Sequence, residues 1–357
     1  MRLAIYLKRR GWDVDIISML DRRHFDEELA REEIPVHCLE MRRGIPEPRG
    51  LLEAFSLMRR RSPSVVVTFM FHANTLGRIA AKLAGIPVIV TSIRNEQFGG
   101  RIADLAERFL APLADVVTTN SQRAADALVE RGVISTDRLE IIPNGLELTT
   151  FDIAPCDSDE LRASLGVEPD DFLWLAVGHL RIQKDYRNLL RACAELVDAG
   201  RSNLQLRVAG HGPLMDELQA RRELLGIEDH VQFLNYRDDI PALMHVADGF
   251  VLSSAWEGLP NAIMEAMASR LPVVATNAGG VSELLQDGVS GLMIPPHNSA
   301  ALAEAMHQIM NLNEQHRRKM GDAGRQFVER RFDAERIFQL WETLFERLLV
   351  EAGQSVA

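Results

Sequence analysis

Two glutamates, Glu257 and Glu265, are separated by seven residues in the stretch DGFVLSSAWEGLPNAIMEAMASRLPVVATNAGG, residues 248–280. Carboxylates accept hydrogen bonds from sugar hydroxyls and need no metal to do so. Gly258, Leu259, Pro260 and Asn261 lie between them. An apolar run at 249–253 precedes the pair and another at 272–276 follows it, so the stretch reads as strand, turn, helix, strand. Pro260 fits the first helical turn, where its missing N–H costs nothing. Eight helical positions at about 1.5 Å each span roughly 12 Å, the reach of a nucleoside diphosphate with a sugar on its end. One carboxylate can therefore address the sugar and the other the ribose. The first amides of the helix lack internal partners and attract a diphosphate. Gly258 lets backbone approach a ligand closely. A bare glutamate pair at this spacing is an ordinary surface feature; the EGLPN turn between two buried strands sets this one apart.

A leaving diphosphate also needs cations. Lys184 follows Gly178 by six residues, just after an apolar strand, and can reach phosphate there. Arg181 lies between them, and His179 is neutral over much of the physiological range. His72, in TFMFHAN, ends the apolar run 65–71, and Arg94 ends the next one. The histidine can contact an acceptor or a sugar, or simply cap the turn; Arg94 suits an anionic acceptor. Gly210 and Gly212 form only a GxG fragment, too little for a dinucleotide fingerprint. Asp13-Val14-Asp15 and Asp157-Ser158-Asp159 match DxD, but at a strand start and in a linker, and are read as chance.

The elements that must position these residues alternate throughout. Apolar strands are expected near 13–19, 36–40, 65–71, 88–93, 116–120 and 139–142, then near 172–178, 204–209, 231–235, 249–253, 273–276 and 291–294. Helix-length amphipathic segments separate them, which means parallel sheets covered on both faces. Pro143-Asn144-Gly145 is a turn and 152–159 reads as a linker. The expected domains are 1–151 and 152–331, with a long amphipathic helix over 332–357. Ligands of open α/β sheets bind beyond the carboxyl ends of the strands, so two such domains facing a cleft suit a donor on one side and an acceptor on the other.

The Glu-x7-Glu stretch resembles that of the family 4 retaining glycosyltransferases, which have the GT-B fold of two Rossmann-like domains. Further pieces are similar: AVGHL…QK at 176–184, VAGHGP at 208–213, VQFLNYRDDIPALMHVAD at 231–248 and PVVATNAGGVSELLQDGVSGLMIPP at 272–296. GIPVIVTSIRNE at 85–96 and IIPNGLE at 141–147 are weaker matches. The resemblance covers nearly the whole chain and is most specific in its second half. It implies a metal-independent transferase without cofactor, moving a sugar from a nucleotide-sugar donor to a glycan, lipid or small-molecule acceptor in cell-surface polysaccharide or glycolipid synthesis. Glu257, Lys184 and His72 are then the catalytic candidates. Gly178, Arg181, Lys184, Glu257, Gly258, Leu259, Pro260, Asn261 and Glu265 are the donor-binding candidates, and His72 and Arg94 the acceptor-side ones. Gly279-Gly280 and Glu283 match another part of the donor pocket. The family's usual arginine after the first glycine is His179 here, and its usual histidine near Arg94 is absent.

The resemblance also implies that a first strand and a glycine-rich loop precede the segment seen here. Residues 2–10 read as the second half of a helix ended by Gly11. The 357-residue form is therefore expected to have a less stable first domain and little activity. A non-catalytic nucleotide-sugar-binding subunit is the alternative. A nucleotide-sugar epimerase is disfavoured by EGLPN, an NAD enzyme by the poor GxG, and a phosphorylase by the lack of a pyridoxal-phosphate lysine segment.

Composition bounds the rest. Net charge is −11, which argues against nucleic acid as a partner. Residues 1–150 hold 21 Lys+Arg against 20 Asp+Glu, whereas the remainder holds 19 against 31. The less acidic first half suits an anionic acceptor or peripheral contact with a membrane. Cys38, Cys156 and Cys193 are scattered, without metal spacing, as in a reducing compartment. No apolar run reaches spanning length and no signal peptide is expected. The expected place of work is the cytoplasm, including the inner face of the membrane.

Overall fold

The computed structural model describes residues 1–20, 26–42, 47–94, 100–153 and 157–354. Asn95, Glu96, Cys156 and the centre of the expected linker lie outside them. The chain forms two compact units, Met1–Gly145 with Glu335–Ala357, and Leu146–Ala334. The division falls after Gly145 rather than at 151. Leu146 already belongs to the second unit, where its amide donates to the Phe332 carbonyl (2.7 Å) and its carbonyl accepts from Ala334 (3.0 Å).

The first unit holds β1 (Ile16–Ser18), β2 (Val36–Cys38), β3 (Val65–Phe69), β4 (Val88–Ile93), β5 (Val116–Thr119) and β6 (Leu139–Ile141). β1 and β2 make a parallel pair, and β3–β4–β5–β6 make a separate parallel sheet in that order. The strand expected over 13–19 is confined to Ile16–Ser18. Among the described residues β1 and β3 each pair along one edge, and an Arg61–Asp15 ion pair of 2.9 Å joins the segments that lead into them. All six residues of β4 are buried, because helices cover both faces of a parallel sheet. Alternate side chains serve different cores: Ile89 packs with Leu128 and Ala80, Val88 and Val90 with the helix Ala334–Glu351. That helix contributes Ile337, Trp341, Leu344, Phe345, Leu348 and Leu349 to the second core. Its Glu342 accepts from Tyr6 Oη (3.0 Å) and Trp12 Nε1 (3.1 Å), tying it to the helix Arg2–Arg9. The helix expected from 332 onward begins two residues later, at Ala334, and runs unbroken to Glu351. Helix Glu314–Phe332 stops and a new one starts at Ala334, because Leu146 bridges to Asp333 and takes the Phe332 carbonyl.

The second unit is one six-stranded sheet of β7 (Phe172–Val177), β8 (Leu204–Ala209), β9 (Val231–Asn235), β10 (Gly249–Leu252), β11 (Val273–Thr276) and β12 (Gly291–Ile294). Every pair is parallel and the order is β12-β11-β10-β7-β8-β9. Leu173, Leu175, Phe250 and Val273 line one face; Trp174, Leu206, Val208 and Val251 line the other. Burying each such side chain contributes roughly 1.5–3 kcal/mol. Gly249 is required by this packing, since a Cβ there would lie 2.7 Å from the Trp174 ring. The order reverses between β7 and β10: the chain winds outward from β7 through β8 and β9, then returns to β10 on β7's other side. Such a reversal opens a crevice at the carboxyl ends of the two strands.

Candidate active site

The residues that follow β7 and β10 meet at that reversal. After β7 the chain turns at Gly178, makes one 3₁₀ turn, Ile182–Lys184, and enters the helix Tyr186–Asp198. After β10 it passes Ser253 and Ser254 and reaches Glu257. Lys184 Nζ donates to Glu257 Oε1 at 2.6 Å, with side-chain exposures of 17% and 7%. Ser254 Oγ donates to the same oxygen at 2.6 Å, and Gln183 Nε2 reaches Oε2 at 3.3 Å. Backbone stitches the segments together: Ala255 N donates to the Gln183 carbonyl (2.8 Å), and Ser253 Oγ to the Lys184 carbonyl (2.8 Å). Tyr186 Oη donates to the Gly178 carbonyl at 3.1 Å. Burial pushes the Tyr186 phenol well up, and the charge of Glu257 adds to the effect, so the hydroxyl stays a donor.

Glycines let these backbones touch. A Cβ on Gly210 would lie 2.0 Å from the Gly178 carbonyl oxygen, and one on Gly279 would lie 1.9 Å from that of Glu257. Gly279 also has φ of +58°, and Gly280 N donates to the Gly258 carbonyl at 2.8 Å. The Gly279-Gly280 pair thus acts as a stop for the Glu257-Gly258 backbone. The short helix after it, Val281–Leu284, carries Glu283 half-buried.

Two sequence expectations change here. Pro260 is the cap of the helix Asn261–Ala268 (φ −74°, ψ 110°), not a residue of its first turn, and its side chain caps nothing. The rise along a helix therefore does not measure the Glu257–Glu265 separation, because 257–260 form a turn. Gly258, Leu259 and Pro260 are buried beneath it, Asn261 is exposed and Glu265 is half-buried. Glu257 is also not an open acceptor. Oε1 is occupied twice, and the remaining capacity lies on Oε2. The motif does not by itself point to Ser254, Gln183 or Tyr186, although SSAWEG and QKDY contain them. Arg181 is exposed at the start of the 3₁₀ turn.

The acceptor-side candidates stand at the carboxyl edge of the first unit's sheet. β3 ends at Phe69, not at 71, because Met70 turns with φ of +77° into the helix Phe71–Ala84. His72 is in that helix's first turn, exposed, with its ring edge-on to Phe71 (5.6 Å). Arg94 follows β4 and lies over the Phe69 ring at 5.1 Å. Its Nε reaches Ser92 Oγ at 3.3 Å and its Nη1 donates to Asn144 Oδ1. Burial pushes the Arg94 guanidinium down to about 10. His72 and Arg94 thus follow neighbouring strands. Among the described residues no three His, Cys, Asp or Glu side chains are gathered as metal ligands.

Lys184 and Glu257 thus converge at the strand-order reversal of a parallel α/β unit. Residues 157–327 match the family Glycosyl transferases group 1, and residues 1–145 match the Glycosyl transferase 4-like domain. The chain belongs to this glycosyltransferase family, and its fold is the GT-B type built from Rossmann-like domains. It is 33% identical over 357 residues to EpsD of Bacillus subtilis (strain 168), covering 94% of this chain and 89% of that one. It is 25% identical over 298 residues to the UDP-Gal:alpha-D-GlcNAc-diphosphoundecaprenol alpha-1,3-galactosyltransferase of Escherichia coli, covering 80% and 76%. Among solved structures, Anabaena Alr3699/HepE in complex with UDP-glucose aligns with a TM-score of 0.83 and 25% identity over 96% of this chain and 94% of that one. A glycosyltransferase from Rickettsia africae ESF-5 aligns with a TM-score of 0.84 and 20% identity over 97% and 93%.

Proposed function

We propose that the protein transfers a sugar, with retention of anomeric configuration and without a metal, from a nucleoside-diphosphate sugar to a glycan or lipid-linked acceptor. The observation that carries this is the Lys184–Glu257 pair at the carboxyl ends of β7 and β10. Uridine diphosphate sugars are the first donors to test, because HepE is solved with UDP-glucose and the E. coli relative is named for UDP-Gal. The latter's diphosphoundecaprenol acceptor makes a lipid-linked saccharide the first acceptor, met in peripheral contact at the inner face of the membrane. No helix among the described residues is long and apolar enough to cross a membrane.

In this reading the bond from the donor's anomeric carbon to the leaving diphosphate breaks while the acceptor hydroxyl oxygen bonds to the same face. The hydroxyl proton passes to the departing phosphate oxygen. Lys184 and Arg181 stabilise the charge that develops, aided by the amides of the helix Asn261–Ala268; a donor of this kind is worth on the order of 100-fold in rate. Glu257 holds Lys184 in place and offers Oε2 to the sugar, and Glu265 addresses the ribose. His72 and Arg94 serve the acceptor, Arg94 suiting one that carries an anionic group. The test is turnover with radiolabelled UDP-sugars and undecaprenyl-diphosphate saccharides, followed by assignment of the product's anomeric configuration by NMR. An inverted product would overturn the stereochemistry. Tight binding without turnover would favour a non-catalytic binding subunit.

A further inference from the structure

His179 and His211 follow the adjacent strands β7 and β8 on the edge where Lys184 meets Glu257. Both are exposed. Their rings meet edge to face, with centroids 5.1 Å apart and planes at 77°. The approach is tight because a Cβ on Gly212 would lie 2.5 Å from the Leu180 carbonyl.

His179 Nδ1 lies 3.3 Å from the His211 carbonyl oxygen. A carbonyl can only accept, so this contact is a hydrogen bond when Nδ1 carries the hydrogen. The same oxygen accepts from Leu180 N at 3.0 Å, which holds it in place. A neutral His179 bonded in this way presents a bare lone pair at Nε2. A phosphate oxygen is itself an acceptor, so the neutral ring offers it nothing there. Only the imidazolium presents a second N–H. The fixed positive charge nearby is also partly spent, since Lys184 is engaged by Glu257 at 2.6 Å.

We infer that His179 takes up a proton as the donor diphosphate binds, so that donor affinity rises as the pH falls. This rests on the proposed placing of the donor diphosphate at the ends of β7 and β10. His211 is in contact with the ring, and Tyr236 packs on His211 in turn. The titratable or charged groups on the neighbouring segments are Arg181, Lys184 and Tyr186 after β7, Glu257 after β10, and the Arg187–Glu217 ion pair of the flanking helices. His297 is held on Asp185 Oδ2 at 2.7 Å. Of these side-chain types, imidazole is the one that ordinarily changes charge between about pH 5 and 8.

The experiment is titration calorimetry with UDP-glucose, and with GDP-glucose and ADP-glucose if it does not bind. The diphosphate of a nucleotide sugar has no ionisation of its own near neutrality. The expected result is affinity about tenfold higher near pH 6 than near pH 8, equivalent to one pKa unit of coupling. The binding heat should vary with the buffer's ionisation enthalpy in the sense of proton uptake. His179→Arg should bind equally well across the range, His179→Gln weakly across it, and His211→Gln should keep the wild-type slope. Flat wild-type affinity, a slope that survives His179→Gln, or a slope lost in His211→Gln would each overturn the inference. Failure of all three sugars to bind would instead sink the donor-site reading and this inference with it.

Discussion

Glu257 and Glu265 bring the same carboxylate into different surroundings. Glu257 is buried and holds Lys184, Ser254 and Gln183. The attraction within a buried ion pair is largely offset by desolvation, so this one is weak ground for stability. It does place an ammonium and a carboxylate at one point beyond the ends of β7 and β10. Glu265 lies on the helix, half-exposed. Glu257→Gln should accordingly lower kcat, and Glu265→Gln should raise the donor's Kd, each by on the order of 10- to 100-fold, the value of a charge-assisted hydrogen bond. Steady-state kinetics and calorimetry separate the two, and wild-type behaviour in both variants would reject the roles given to the pair.

At the scale of elements, two contacts decide what the loops and helices can do. The first is Gly279 against Glu257. Alanine there meets both a left-handed φ of +58° and a carbonyl 1.9 Å from its Cβ. The glutamate's backbone must then retreat, so Gly279→Ala should weaken donor binding at least tenfold although residue 279 carries no functional group. Unchanged binding would mean that the glycine stop does not set the site. The second contact is Glu342, which docks the helix Ala334–Glu351 onto Tyr6, Trp12 and Arg10. Burial works to raise its pKa, but hydrogen bonds from Trp12, Tyr6 and Arg10 outweigh burial and hold it below the usual carboxylate range. A depressed carboxylate contributes stability above its unfolded pKa and loses it as pH falls through the folded one. Glu342→Gln should therefore cost about 2 kcal/mol at neutral pH. It should also flatten the acid limb of the first unit's stability curve, followed by tryptophan fluorescence in denaturant at several pH values. An acid limb identical to wild type would remove Glu342 from that account.

The molecule as a whole divides into two compact units, each with its own cores, one on either face of its sheet, so unfolding need not be two-state. A ligand bound only to the folded protein at about 100 times its Kd stabilises it by ~2.7 kcal/mol. The matching nucleotide sugar should thus raise a thermal midpoint clearly, and the same screen identifies the base. EDTA should leave both the shift and turnover intact, since Lys184 and Arg181 can do a metal's work at the diphosphate. Activity lost in chelator and regained with manganese or magnesium would show otherwise.

Much of this protein is legible in its sequence because the signals are local. The apolar runs of β4, β7 and β8 announce strands buried on both faces, as a sheet under two helix layers requires. Lys184, Glu257 and the EGLPN turn mark a candidate site by residue type and by their place after strands. What the sequence could not determine is where distant segments meet. Lys184 and Glu257 are 73 positions apart and touch only because β10 returns to β7's free side. Gln183 becomes a partner of Glu257 through the same return, whereas Ser254 is its neighbour three residues back in the same turn. The break at Asp333 follows from Leu146, far away in the chain, taking a carbonyl the helix would have used. The shift of Pro260 from the first turn to the cap is a matter of one residue at a helix end, where local preference is nearly indifferent. Strand and helix follow from periodicity over a few residues. A hydrogen bond between remote side chains follows from sheet order, which the packing of the whole unit selects.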